Sequence, residues 1–307
     1  MSPTLFTPLT LLTYFAFAIA VIAGWIKPLS RLGFIALLIF IGSSLIAGLM
    51  SLTSLATVAL GLGALWMLTQ SNRPWFKVAL IAIICMICFA LATHQLPGFA
   101  RPLLFDQVLG QSDTPYLLYL NIDKAFAAWL LLAMMGAWQP VSTYADGCAQ
   151  RAKNLNRRQV FFLIAITVGI IVASGFLLGV PFDKKPLERD FVIFLMTFIA
   201  INGLITCVAE ELFFRGVIQN GAKTIWAKSR LKHWASPLAI ASSAILFAAA
   251  HCHPSPHLWK VMALVTIAGL GYGYIYDRCN HIAPAIITHL LVNAIHVLAF
   301  QYPLQFQ

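Results

Sequence analysis

Ten runs of mostly apolar residues, each close to twenty residues long, follow one another along this chain of 307 residues. A helical run of this length matches the thickness of a lipid bilayer. Within lipid a helix satisfies its own backbone hydrogen bonds, so such runs exclude irregular folds and open sheets. We predict an all-α fold, a polytopic bundle of eight to ten transmembrane helices. The predicted spans are residues 9–26, 32–50, 54–70, 78–94, 124–138, 160–179, 191–214, 236–252, 259–276 and 282–301.

The composition favours a membrane protein over a soluble one. Hydrophobic residues make up 60% of the chain, and Asp, Glu, Lys and Arg together make up only 10%, against about 25% in a soluble domain. The formal net charge is +10, but the basic residues cluster in short loops between apolar runs. Because that distribution is typical of topology signals that face anionic lipid, nucleic acid is not expected as a partner.

The basic loops also predict how the chain is oriented. Lys and Arg accumulate after the first, third, fifth and seventh spans, and the positive-inside rule places those loops in the cytoplasm. Both termini are therefore expected outside, in a multi-pass protein of the plasma (inner) membrane. The loop 221–235 mixes basic residues with Ile225, Trp226, Leu231 and Trp234, which predicts a short interfacial helix on the cytoplasmic surface.

Two adjacent carboxylates, Glu210 and Glu211, lie within the seventh span. An ionisable residue at membrane depth is costly, so it is by default a candidate functional residue. Arg215 follows Glu211 by four residues, in the order that favours an ion pair on one helix face. Glu210 points about 100° away from Glu211 on an α-helix, so we expect it to face a cavity.

Two later spans carry histidines at helical spacing. Phe247 precedes His251 by four residues, and His289 precedes Asn293 by four, so each pair shares one helix face. With a rise of about 1.5 Å per residue, Glu210, His251 and His289 lie roughly 17–22 Å from the cytoplasmic ends of their helices. Independent core packing gives no reason for this agreement, so we expect three helices to bring these side chains together near the middle of the membrane.

Such a set of side chains suits hydrolysis of a peptide bond without a covalent intermediate. A carboxylate and an imidazole beside one water molecule can take its proton, which is general-base catalysis. A second imidazole and an amide can donate hydrogen bonds to the oxygen of the attacked carbonyl. A nucleophilic mechanism is less favoured, because no Ser or Cys has the flanking pattern of a known nucleophile motif.

The three motifs, in this order, resemble those of the CAAX protease and bacteriocin-processing family, also called the ABI family. They read Glu210-Glu211-x-x-x-Arg215, Phe247-x-x-x-His251 and His289-x-x-x-Asn293. The resemblance covers about residues 190–300. We therefore divide the chain into an N-terminal transmembrane region at 1–180, which carries no recognised motif, and a catalytic transmembrane domain at 181–307.

The resemblance implies an intramembrane CAAX-type endopeptidase of the glutamate type, a hydrolase of peptide bonds. By this resemblance Glu210 and His251 would activate the water. His289 and Asn293 would stabilise the oxyanion. The residues with supporting roles would be Glu211, Arg215 and Phe247. No cofactor is expected. The implied partners are the lipid bilayer and a membrane-associated peptide or protein, which would reach the site from the cytoplasmic side or laterally from the membrane.

Other interpretations of the same residues stay open. Glu211 and Arg215 could form only a structural ion pair, with no role in a reaction. Glu210, His251 and His289 could hold zinc with an open fourth position, as in a zinc-dependent membrane protease, although the chain lacks the sequence His-Glu-x-x-His. Intramembrane Glu and His could also relay protons in a transporter or scaffold that is not an enzyme.

Overall fold

The computed structural model describes residues 7–25, 30–110, 115–137, 155–183, 185, 188–252 and 257–301. The described part of the chain is mainly helical, which confirms the predicted all-α class. Its helices are α1 Pro8–Gly24, α2 Ser30–Ile46, α3 Leu52–Gln70, α4 Pro74–Ala92, α5 Ile122–Ala137, α6 Arg157–Leu177, α7 Arg189–Ala227, α8 Ala235–Ala250, α9 Leu258–Cys279 and α10 Ile282–Ala299. Each predicted span coincides with one of these helices, in the predicted order.

Seven helical segments of the described residues are long and apolar enough to cross a membrane, judged by length and composition. They are α3, α4, α6, α7, α9, α10 and the segment Lys232–Ala250, which contains α8. Helices α1 and α2 are apolar but shorter, at 17 residues each. The protein is therefore a multi-pass membrane protein.

Helix α7 extends well past the predicted span 191–214. It runs for 39 residues to Ala227, whereas crossing a bilayer takes about 20. The interfacial helix predicted at 221–235 is therefore not a separate element, because its first part is continuous with α7. The Asn220 side chain supports the extension, since its Nδ2 donates to the Gly216 carbonyl at 2.9 Å.

A two-stranded sheet lies between α4 and α5 and was not predicted. Strand β1 spans Leu103–Val108 and pairs with strand β2 at Pro115–Tyr119. Strands of five or six residues are too short to produce an apolar run of bilayer length, which is the sequence signal that predicts a span.

Helix ends follow local sequence signals. The hydroxyl of Thr7 accepts a hydrogen bond from the Thr10 amide at the start of α1. Asn156 and Gln159 form a reciprocal capping box at the start of α6, which satisfies two amides that the helix itself leaves unpaired. Asn280 closes α9 in the left-handed conformation, at φ 48°, which Asn tolerates better than most residues. The cap at Asn280 fixes where α9 ends.

The chain divides into two compact units. The first comprises Met1–Asp106, Leu117–Pro140 and Leu204–Ala209; the second comprises Gln107–Tyr116, Val141–Gly203 and Glu210–Gln307. In the first unit α1 packs on α2, and α5 packs against α1, α3 and α4. The boundary predicted between residues 180 and 181, which rests on the motifs, stays a prediction.

In the second unit, α9 packs against α6, α8 and α10, and small residues make these approaches close. A Cβ on Gly269 would lie 3.0 Å from the Cα of Ala244, and a Cβ on Gly271 would lie 2.8 Å from the Cγ2 of Thr167. Small residues let membrane helices approach backbone to backbone. This packing fixes α8, α9 and α10 relative to one another in the segments that carry the second and third motifs.

Candidate active site

Helix α7 changes its geometry on both sides of the two glutamates. It contains two π-helical segments that flank one short α-helical turn: Asn202–Thr206 is π, Cys207–Glu211 is α and Leu212–Gln219 is π. A π turn takes up one residue more than an α turn, and such turns are frequent at functional sites. The side chains before and after the glutamates therefore do not follow the regular angular spacing of a single α-helix.

Glu211 and Arg215 form the ion pair predicted from their spacing. Arg215 Nη1 donates to Glu211 Oε1 at 3.1 Å, and both side chains are 0% exposed. Arg215 Nη2 donates to the carbonyl of Gly269 at 3.1 Å. The guanidinium carbon lies 4.6 Å from the ring centroid of Phe247 and 5.2 Å from that of Tyr272, distances at which a cation is attracted to an aromatic face. Phe247, predicted as a supporting residue, is therefore a contact of this buried cation.

His289 is fixed by the same carboxylate. Its Nδ1 lies 2.9 Å from Glu211 Oε1, and its ring stacks on Tyr272 with centroids 4.6 Å apart and planes 18° apart. Because Glu211 also binds the Arg215 guanidinium, we assign it as the ionised acceptor and Nδ1–H as the donor. A neutral imidazole has only one N–H, so His289 Nε2 can donate a hydrogen bond only when the ring is protonated.

His251 lies at the end of α8, in the position that caps the helix. Its Nδ1 is 2.8 Å from the carbonyl oxygen of Phe247. Since a carbonyl only accepts, Nδ1 carries the proton of this hydrogen bond. The Nε2 of neutral His251 is therefore an acceptor. The Phe247 ring also contacts the His251 ring, with centroids 4.5 Å apart.

Glu210 lies next to both imidazoles. Its Oε2 is 3.7 Å from His251 Nε2 and 4.0 Å from His289 Nε2. Both distances exceed the roughly 2.7–3.2 Å of a direct hydrogen bond and suit polar groups that share a bridging water. The His251 side chain is 37% exposed, that of Glu210 is 16% exposed and that of His289 is 6% exposed. His251 is therefore the accessible imidazole of the site, and His289 is the buried one.

Asn293, the fourth predicted catalytic residue, lies one turn beyond His289 on α10. Its Nδ2 donates to Asn202 Oδ1 at 3.2 Å. Asn202 is buried, at 7% exposure, and its own Nδ2 donates to the carbonyl of Phe198 at 3.0 Å. The structure thus brings Glu210, His251 and His289 together at one point, and it joins Asn293 to the same helix α7 that carries the glutamates.

Sequence analysis missed two residues of this site, Asn202 and Tyr272. A signal for Asn202 existed, because a carboxamide within an apolar span is rare and requires a partner. Tyr272 stands between Gly271 and Gly273, and nothing in that pattern distinguishes it from an ordinary packing aromatic. Its stacking on His289 depends on how α9 and α10 pack.

The donor set of Glu210, His251 and His289 contains groups that zinc accepts as ligands. Within the described ranges, no group of three or more His, Cys, Asp or Glu side chains is arranged to hold a metal ion. The absence of a cofactor stays a prediction.

These features define a class: a multi-pass helical membrane protein whose second unit brings two carboxylates, two imidazoles and an arginine together on converging helices. Residues 192–295, about a third of the chain, match the family model of the Type II CAAX prenyl endopeptidase Rce1-like proteins. The match spans all three motifs and confirms the family resemblance seen in the sequence. Comparisons with curated proteins and with solved structures gave no match. The matched family indicates a membrane-embedded CAAX-type protease, a hydrolase that acts on a peptide substrate in the bilayer.

Proposed function

We propose that this protein is an intramembrane endopeptidase that hydrolyses a peptide bond with water activated by Glu210 and His251. The observation that carries the proposal is the position of Glu210 Oε2, within 4.0 Å of the Nε2 atoms of both His251 and His289. A carboxylate with an imidazole acceptor beside it can bind one water and withdraw its proton.

His251 contributes an acceptor because its Nδ1–H is engaged by the Phe247 carbonyl. A water molecule between Glu210 Oε2 and His251 Nε2 can therefore donate to both. As its oxygen attacks the substrate carbonyl carbon, its proton passes to this pair. The same proton then passes to the nitrogen of the leaving peptide, because the C–N bond breaks only if that nitrogen leaves as an amine.

His289 and Asn293 would stabilise the oxygen that becomes negatively charged. Asn293 has its Nδ2 amide to donate, and His289 would donate through Nε2 in its protonated form. Glu211 orients this ring, because its carboxylate oxygen lies 2.9 Å from Nδ1 and accepts the Nδ1–H hydrogen bond. Glu211 is itself fixed by Arg215. Preorganised donors of this kind are often the largest contribution to catalysis.

The family description suggests the substrate class to test first. We propose a membrane-associated peptide with a prenylated cysteine motif at its C-terminus, which would reach the site through the bilayer or from the cytoplasm. The orientation of the chain and its location in the plasma membrane are part of this proposal, and the basic residues of alternate loops support the orientation.

The test is cleavage of a quenched fluorescent peptide by purified protein in lipid vesicles. We expect the wild type to cleave it and Glu210→Gln to lose roughly 10²–10⁴-fold in rate, the usual contribution of general-base catalysis. Glu188→Gln is the matched control, because Glu188 is the one glutamate of the chain besides Glu210 and Glu211 and is exposed at the start of α7.

Two outcomes would contradict the proposal. The hydrolytic role of Glu210 is wrong if Glu210→Gln cleaves at the rate of Glu188→Gln. The substrate class is wrong, but not the reaction, if the same peptide without the prenyl group is cleaved equally well and the Glu210→Gln variant cleaves neither peptide.

A further inference from the structure

A chain of hydrogen bonds connects the backbone of α7 to Asn293 on α10. The Phe198 carbonyl accepts from Asn202 Nδ2 at 3.0 Å, and Asn202 Oδ1 accepts from Asn293 Nδ2 at 3.2 Å. The two helices approach closely here, and Gly203 makes this approach possible. A Cβ at this position would lie 3.2 Å from a methyl group of Leu290. Gly203 thus allows two short amide side chains to reach each other across the helices.

This chain of bonds determines which end of each amide faces which partner. A backbone carbonyl can only accept, so Asn202 must turn its NH₂ group to Phe198 and present its oxygen to Asn293. That oxygen can only accept, so Asn293 must in turn present its NH₂ group. An Asn side chain otherwise has two orientations, related by a flip, that differ little in shape. Here the backbone of α7 selects one of them.

We propose that Asn202 is a positioning residue for the reaction, since it holds the Asn293 amide with its nitrogen, not its oxygen, towards the substrate carbonyl. The inference rests on the proposed function, in which Asn293 donates to the oxyanion. One N–H of the Asn293 amide binds Asn202, and the second N–H on the same nitrogen is the donor to the oxyanion. A flipped amide would present its oxygen to a developing negative charge and repel it.

Asn202 lies at the point where α7 changes from α to π geometry. The π segment that it begins leads directly to the turn Cys207–Glu211. Asn202 therefore ties the oxyanion donor on α10 to the helix that carries the catalytic glutamate. The Asn293 amide and Glu210 would thus keep a fixed distance and orientation relative to a substrate carbonyl. Catalysis depends on such precise positioning of the reacting groups.

The experiment compares Asn202→Leu with a matched variant of the same helix, in the vesicle assay described above. Asn220 has the same local geometry, because its Nδ2 donates to the carbonyl four residues back, Gly216, at 2.9 Å. Its other partner is the Tyr276 hydroxyl, at 2.7 Å, outside the group of reacting side chains. Asn202→Leu should lower kcat about 10- to 100-fold with KM changed less than about twofold, a part of the ~10²–10³-fold that one oxyanion donor contributes. Asn220→Leu should leave both constants near the wild-type values.

A double-mutant cycle with Asn293→Ala separates positioning from a purely structural role. If Asn202 acts through Asn293, then Asn202→Leu should have almost no effect on kcat in the Asn293→Ala background, because interacting residues are not additive. The same fold-loss in both backgrounds, or an unchanged kcat in Asn202→Leu, would overturn the inference. Asn202→Ala provides the same comparison if the leucine variant does not fold.

Glu210→Gln, measured alongside, distinguishes failure of the inference from failure of the proposed function. Loss of activity in Glu210→Gln with normal activity in Asn202→Leu would refute the positioning role alone. Normal activity in Glu210→Gln would refute the hydrolytic mechanism on which the positioning role depends.

Discussion

Removing the Arg215 guanidinium should destabilise the protein far more than removing both partners of its ion pair. Arg215 and Glu211 are both 0% exposed. In Arg215→Met the Glu211 carboxylate would keep only the His289 Nδ1 contact on Oε1, and among the described residues its Oε2 already has no hydrogen-bond partner. A buried charge that loses its partner costs about 3–5 kcal/mol. Lost contacts between the guanidinium and the two nearest rings would add about 0.5–2 kcal/mol.

The double variant Glu211→Gln with Arg215→Met removes both charges at once. Replacing a whole buried pair by neutral groups is often close to neutral for stability, so the double variant should recover most of the loss. The amide oxygen of the introduced glutamine can still accept from His289 Nδ1–H, and Met keeps most of the apolar volume of the Arg stem. The rate of peptide cleavage by the double variant should nevertheless stay low, because a hydrogen bond from His289 Nδ1–H to a neutral amide is weaker than one to a carboxylate and orients the ring less firmly.

The free energy of unfolding is measured by reversible denaturation in mixed micelles, for the wild type, both single variants and the double variant. The expected loss of Arg215→Met, about 3.5–7 kcal/mol in all, corresponds to a factor of about 3 × 10² to 10⁵ in the unfolding equilibrium, at about 1.4 kcal/mol per factor of ten. The reasoning fails if Arg215→Met costs less than about 1 kcal/mol. It also fails if the double variant is no more stable than Arg215→Met, since charge compensation would then not be the role of Arg215.

Three further predictions follow from the packing and chemistry of the site. Gly269→Ala should destabilise the protein by about 1–3 kcal/mol through overpacking, because the new Cβ would lie 3.0 Å from the Ala244 backbone. The control Gly169→Ala, whose Cβ meets nothing within 4 Å, should be neutral or stabilising by up to about 1 kcal/mol, and thermal unfolding of both variants measures the difference. Tyr272→Phe should cleave peptide at nearly the wild-type rate, whereas Tyr272→Leu, which removes the ring stacked on His289, should lower the rate by the factor equivalent to about 0.5–1.5 kcal/mol, as measured by kcat. Treatment with a zinc chelator should leave cleavage unchanged, and a loss that added zinc reverses would favour the metalloprotease interpretation instead.

The positions of the helices could be predicted from the sequence because lipid leaves few alternatives. A run of twenty apolar residues in a bilayer must satisfy its own backbone, and only a helix does so within one segment. The predicted spans therefore coincide with α1 to α10, even at the boundary between α2 and α3, where no charge marks the turn. Length was less predictable: α7 extends to Ala227 because the residues after the span are still compatible with a helix.

The common depth of Glu210, His251 and His289 was sufficient to predict that they meet. The individual bonds were predictable where they lie within one helix and not where they join two. The i, i+4 spacing of Glu211 and Arg215 was sufficient to predict their ion pair. The bond between His289 and Glu211 joins residues 78 positions apart, and the bond between Asn293 and Asn202 joins residues 91 apart. Such contacts depend on the rotation and depth of packed helices, which the apolar pattern of a membrane helix does not encode. The π segments of α7 were likewise not predicted by any local sequence signal.

The position of His251 has a consequence for how a hydrolase inside a bilayer obtains its second reactant. Each bond cleaved would consume one molecule of water, and the hydrocarbon interior supplies none. Helix α8 ends at Ala250, directly before His251, whose side chain is more exposed than that of Glu210 or His289. If Glu210 and His251 bind the water as proposed, this exposed end of the helix is where a new water molecule would enter after each turnover. The supply of water would then belong to the reaction cycle as much as substrate entry does.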